Sequence, residues 1–274
     1  MAREAYRSLY GDLTKLKDDS LLDDPASGTD DDDEMFQLLL AMSEWVEGYC
    51  NRHFYPLVTT KLFDGDGSTS LLVPDLLAVT TLKEDTTDDK TYNDTWAATD
   101  YWTWPYNAEP TKHWGYAYTS LRVRSGGTKA TFARAEQNFE LVGQWGYQDH
   151  TELSGSLLND AGNLDTSQTD VTYDGGGAIE VGQTIRLESE DMLVTADSST
   201  VLTVTRAING TTAATHADNT PISILRWPPA LERAVLLNTA RLWTRAPAFE
   251  PFYVDADLDT DVRLLLDPYR RIPV

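Results

Sequence analysis

At 274 residues, with 41% hydrophobic and 10% aromatic content, the chain is long enough for one large domain or two modest ones with a real core. Its formal charge of -22 excludes ordinary nucleic-acid binding, which needs Lys and Arg to neutralise phosphates. The single cysteine, Cys50, excludes an internal disulfide framework and any multi-cysteine metal site.

Residues 9–24 read as a short helix and a turn, with Asp12 or Thr14 as the cap and Leu13 and Leu16 facing inward. Pro25-Ala26-Ser27-Gly28-Thr29-Asp30 is a loop by composition. The acid run that follows suits a helix N-terminus, where carboxylates meet the positive end of the macrodipole. A helix is expected over 32–52. Met35, Leu38, Met42, Trp45 and Tyr49 repeat with 3,4 spacing, and Phe36, Leu39, Val46 and Cys50 form a second row beside them. That apolar face is wider than one core needs, so the helix is expected to pack on two sides. Cys50 among these positions reads as a small buried hydrophobe.

From 57 to 147 the pattern turns to strands. Leu121-Arg122-Val123-Arg124 and Phe139-Glu140-Leu141-Val142-Gly143 alternate like half-buried strands, and Tyr101-Trp102-Thr103-Trp104-Pro105 is aromatic and extended. Asp64-Gly65-Asp66-Gly67 opens like a calcium loop but lacks the spaced ligands and the distal Glu, so it reads as a turn. Residues 148–168 read as a polar linker. Residues 169–226 carry a compact all-β pattern, with strands expected at 170–173, 184–187, 192–195, 201–205 and 222–225. Helix returns at Pro228-Pro229, well placed for a first turn, and runs to about 245. Its inner side is Leu231, Val235, Leu236, Asn238 and Leu242. Residues 248–274 read as an extended arm.

No catalytic motif emerges. His53, His113, His150 and His216 are scattered, and none sits in a zinc-binding spacing. There is no nucleophile elbow and no phosphate loop. Glu188, Glu190 and Asp191 offer paired carboxylates for glycosidase-like work, although acidic pairs are common in so acidic a chain. Asn93-Asp94-Thr95 and Asn209-Gly210-Thr211 match the glycosylation pattern but read as turns. No cofactor or metal is expected. No apolar run approaches the roughly 20 residues of a bilayer span. The start, Met1-Ala2-Arg3-Glu4-Ala5-Tyr6, lacks the apolar core of a signal peptide. No membrane partner and no export signal are therefore expected.

Four stretches together resemble the head–tail connector (adaptor) proteins of long-tailed phages and archaeal tailed viruses. They are Trp45-Val46-Glu47-Gly48-Tyr49-Cys50-Asn51-Arg52-His53-Phe54-Tyr55-Pro56, the segment Asp100-Tyr101-Trp102-Thr103-Trp104-Pro105-Tyr106-Asn107-Ala108-Glu109-Pro110, the segment Leu141-Val142-Gly143-Gln144-Trp145-Gly146-Tyr147, and the helix after Pro228. The resemblance implies an α+β fold: a helical core with a β-strand region, over 1–147 and 227–247. A small all-β barrel or sandwich, 169–226, would be inserted in it, and 248–274 would form an extended C-terminal arm. It implies a non-enzymatic subunit, assembled in the host cytoplasm into the virion neck. Its homo-oligomeric ring, usually a dodecamer, would sit between the portal protein and a stopper or tail-completion protein. DNA would pass through that ring without sequence-specific binding. The family's C-terminal segment reaches into the portal, which maps to Tyr269, Arg270, Arg271, Ile272, Pro273 and Val274. Met35, Leu38, Met42, Trp45, Tyr49, Trp102, Trp104, Tyr106 and Trp145 are expected in the core or at a subunit interface, where aromatics are enriched.

The acidity has two readings: a surface that repels DNA in a conduit, or adaptation to a high-salt host. Asp supplies 30 of the 44 acids and Lys only 7 of the 22 bases, scattered along the chain, which tilts toward salt. The competing reading of the aromatics is a carbohydrate-binding or adhesin module built on Trp96, Trp102, Trp104 and Trp114.

Overall fold

The computed structural model describes residues 7–18, 22, 28–175, 179–245 and 260–271. The chain divides into two compact units, Phe54–His150 and the pair of segments Met1–His53 with Thr151–Val274.

Helix α1 (Leu13–Leu16) is a single turn whose N-cap, Asp12, accepts the Lys15 backbone N–H at 2.8 Å. Helix α2 (Asp32–Cys50) carries Asp32, Asp33 and Glu34 in its first turn and ends at Asn51, which adopts the left-handed conformation at φ 52°.

Strands β1 (Leu57–Gly65), β2 (Ser70–Glu84), β3 (Asp94–Trp96), β4 (Tyr101–Trp104), β5 (Tyr118–Val123) and β6 (Ala135–Trp145) make an antiparallel sheet, order β1-β6-β2-β5-β4 with β3 on β2. Its core is Leu71, Leu76, Leu82, Trp96, Leu121, Phe132, Phe139, Leu141 and Trp145 with their neighbours. Trp96 stacks on Phe132 at 4.7 Å and meets Phe139 edge-on, while its Nε1 donates to Glu84 at 3.0 Å.

The carboxylates of the Asp64-Gly65-Asp66-Gly67 turn bond to backbone: Asp64 accepts from Gln137 N–H and Asp66 from Ser68 N–H. Gly65 sits where β1 bulges, and a Cβ there would lie 1.8 Å from the Ala133 carbonyl oxygen. Gly65→Ala is therefore expected to destabilise this unit by about 1–3 kcal/mol, read as a lower urea midpoint at unchanged slope.

Strands β7 (Thr151–Leu157), β8 (Asp170–Thr172), β9 (Thr184–Leu187), β10 (Glu190–Asp197), β11 (Val201–Thr205) and β12 (Pro221–Leu225) form a second antiparallel sheet, order β7-β12-β9-β10-β11-β8. It encloses its own apolar core, including Val171, Ile185, Met192, Val194, Leu202, Ile222 and Ile224. β7 lies within the stretch expected as a linker. Helices α3 (Pro229–Arg245) and α4 (Thr260–Leu266) follow, and α3 packs on both α2 and α4. On α3, Leu231, Ala234, Val235, Leu236 and Ala240 are buried and Leu242 is exposed.

The expected helical core with an inserted β domain is corrected here. Among the described residues two antiparallel sheets dominate, with 35% strand against 22% helix. The physical reason is that each sheet buries an apolar cluster of its own. The strong 3.6-residue periodicity of α2 and α3 does not make them the centre around which the strands are arranged. No helix among the described residues is long and apolar enough to cross a membrane.

Candidate functional site

In the unit that contains α2, the two apolar rows of that helix part company. Phe36, Leu39, Val46 and Cys50 of the second row are wholly buried, and Met35 of the first row is buried with them. Ser43 shares that face because its hydroxyl donates to the Leu39 carbonyl at 2.8 Å and accepts the Tyr10 N–H at 3.1 Å. Of the other row, Leu38 and Met42 are half-buried, and Trp45 is 42% exposed. Trp45 stacks on Tyr49 with ring centroids 5.5 Å apart. On α4, Leu264 is 75% exposed. The helices thus show more apolar surface than their own packing uses.

The C-terminal residues Tyr269, Arg270 and Arg271 do not stand free. Cys50 ends α2 with an orphan carbonyl, which accepts the Arg271 backbone N–H at 2.8 Å. The Tyr49 hydroxyl donates to Asp267 at 2.6 Å, a bond that pushes the phenol pKa up, and the Arg270 guanidinium lies 5.5 Å from the Tyr49 ring centre. Ile272, Pro273 and Val274 lie outside the described residues. Burial pushes the Cys50 thiol up to about 11, so it is a poor nucleophile.

In the other unit, the predicted aromatics separate. Trp145 is fully buried and its Nε1 donates to the Thr59 carbonyl at 2.9 Å, so it is core. Trp102 and Trp104 lie on β4, the end strand of its sheet. Register puts Leu71 and Thr103 opposite Leu121, and Leu71 and Leu121 are buried, so this face looks into the core. The alternate positions, Leu72–Ser120–Trp104 and Ser70–Arg122–Trp102, make two rows on the outer face. Leu72 is 73% exposed, Trp102 45% and Tyr106 54%. The Arg122 guanidinium lies 3.7 Å from the Trp104 ring centre, and that of Arg124 lies 4.3 Å from Trp102. Tyr106 meets both indoles edge-on. Sequence alternation places Trp102 with Trp104 and Arg122 with Arg124; that the two strands are neighbours is visible only in the fold.

Of the acidic residues weighed for catalysis, Glu188 is 62% exposed and lies 2.9 Å from His216 Nδ1, whereas Glu190 and Asp191 are buried and fully engaged. Glu190 is buried, and its Oε1 accepts from Arg206 Nε at 2.6 Å and Ala207 N–H at 3.2 Å. Its Oε2 accepts from Arg206 Nη2 at 2.7 Å and Ala214 N–H at 2.9 Å and lies 2.9 Å from His216 Nε2. Burial raises the carboxyl's pKa, but the Arg206, Ala214 and His216 bonds outweigh it, and the net shift is downward. A glycosidase acid needs the opposite shift. Asp191 pairs with Arg186 at 2.6 Å and accepts from Asn209 at 3.0 Å. The Asn209 amide, itself buried, also donates to the Ser8 hydroxyl and accepts the Ser8 N–H. That amide therefore ties Ser8 to Asp191, and the Asn209 backbone lies in a 3-10 turn, Ile208–Gly210. Among the described residues no group of three or more His, Cys, Asp or Glu is placed to hold a metal ion.

Comparison with known proteins finds no match to a family model, a curated protein or a solved structure.

Proposed function

We propose that this chain is a structural subunit of a tailed virus, an adaptor that assembles as a ring between the portal and a stopper or tail-completion protein and works without turnover. The observation that carries this reading is surface left over after folding. Each unit exposes aromatic or apolar side chains that its own core does not use: Trp45 and Leu264 in one, Leu72, Trp102 and Tyr106 in the other. Such surface marks interaction sites. The strongest carboxylate candidates for chemistry are consumed by internal bonds to Arg206, Arg186 and the backbone. A charge of -22 gives the chain little attraction for DNA phosphates whether or not a high-salt host set it, and a DNA passage needs that.

The portal contact assigned to Tyr269, Arg270 and Arg271 acts in this reading from a base anchored at the end of α2. The carbohydrate-binding alternative is less favoured, because a guanidinium already covers one face of both Trp102 and Trp104, and Trp96 of the same cluster is buried in the core. Negative-stain images of the purified chain mixed with its portal should show a ring seated on one end of the portal. Single particles of monomer size beside bare portals would overturn the proposal.

A further inference from the structure

The outer face of β4 and β5 has unmet chemistry. Arg122 and Arg124 are held against Trp104 and Trp102, yet neither has an acidic partner among the described residues. Arg122 Nε is buried without an acceptor, so its Nη groups are the part of that guanidinium that can meet a partner from outside. The chain has 44 acidic and 22 basic side chains, so a basic residue has many carboxylates to choose from. Two arginines kept from them, and pre-oriented by stacking, are set to meet a carboxylate from outside. A guanidinium stacked on an indole uses its face and keeps its N–H edge for bidentate acceptors.

We infer that Leu72, Trp102, Trp104, Tyr106, Arg122 and Arg124 form the basic, aromatic half of a head-to-tail contact whose other half is an acidic surface on a second copy of this chain. The inference rests on the ring reading above and names its contact. Charge complementarity selects the partner, since a surface excess of acid is what another copy offers. It also selects the symmetry. Placing this patch against itself across a two-fold axis would bring the Arg122–Arg124 pair against its like, which costs several kcal/mol in a desolvated contact. A patch that cannot pair with itself makes a heterologous interface, and such an interface gives a ring when its rotation closes, as the ring reading requires, and a filament when it does not.

The test compares the oligomeric mass of the full chain with those of Arg122→Glu/Arg124→Glu and the milder Arg122→Gln/Arg124→Gln. Thermal unfolding of each checks that the fold persists. Wild type should assemble as a ring, the Glu pair should remain monomeric with its unfolding transition kept, and the Gln pair should self-associate at least tenfold more weakly. If the Glu pair fails to fold, the Gln pair decides. Because a patch-dead copy still presents its acidic face, adding the Glu pair to wild type should cap growing rings and yield short arcs. Intact rings from both variants would overturn this contact and leave the ring reading standing, even if portal binding were lost. A wild-type two-fold dimer bridged through the patch would overturn the head-to-tail assignment. A wild-type monomer at all concentrations, with and without portal, would overturn both.

Discussion

Glu190→Ala should cost the unit built on β7 to β12 about 3–5 kcal/mol, the range for removing one partner of a buried ion pair. The reason is what it leaves behind. Arg206 has almost no solvent access, and its Nη1 and Nη2 also donate to the carbonyls of Asp165, Gln168 and Ala214. Without the Glu190 carboxylate its charge stays buried with only neutral acceptors, and the Ala207 and Ala214 N–H groups lose theirs. Arg206→Ala should be comparably costly. The double variant should cost less than the sum, because the second change removes the charge that the first left uncompensated. Urea unfolding of the four proteins gives the coupling directly. An additive result would mean that the pair is not the keystone of this sheet.

The same site gives a pH dependence of known sign. The Glu190 carboxyl is held below its ordinary value in the folded chain. Its contribution is therefore complete above the unfolded value of about 4.3 and is lost as pH falls below that toward the folded value. Unfolding free energy should decline on this acid limb in wild type and decline less steeply in Glu190→Gln. Equal slopes would remove Glu190 from the account of acid sensitivity.

Trp145→Ala should destabilise the Phe54–His150 unit by about 3–5 kcal/mol, the usual cost of emptying a buried aromatic site. The indole is wholly buried, packs 5.7 Å from the Phe63 ring centre, and is bonded to the Thr59 carbonyl. Lys61 sits 4.5 Å from its ring centre. Trp145→Phe should recover most of that loss and lack only the hydrogen bond, worth about 0.5–1.5 kcal/mol. Trp102→Ala, on the outer face, should move the unfolding midpoint of the isolated chain little. If Trp102→Ala were as damaging as Trp145→Ala, the division between core and contact surface would be wrong.

These contrasts mark how far the sequence carries. Helix α2 was legible from its 3,4 spacing and its acidic first turn, and β9 forms at Thr184–Leu187, where alternation places a strand. Which row of α2 faces inward was not legible. Both rows look apolar, and the buried one contains Ser43, whose polarity is cancelled only by the Tyr10 N–H thirty-three residues away. The Thr151-Glu152-Leu153-Ser154-Gly155-Ser156-Leu157 composition of β7 is weak for a strand and reads as linker; pairing with β12 supplies what propensity does not. The balance of helix and sheet is hidden in the sequence for a related reason. Helical periodicity is concentrated in two long runs, whereas sheet cores are assembled from short alternations whose partners lie far apart in sequence. The Glu190–Arg206 pair and the stacking of Arg122 on Trp104 are products of pairing of that kind. Period-2 spacing shows which residues share a face of one strand but not which strand lies beside it.

The central claim is that the surface left open by folding is filled by further copies of the same chain. The particle mass in solution tests it most directly, by native mass spectrometry of the 30.6 kDa chain alone and with portal present. The account predicts one closed species, an integral multiple of the chain mass, formed alone or on contact with portal. A mass of 30.6 kDa under every condition, portal included, would contradict it.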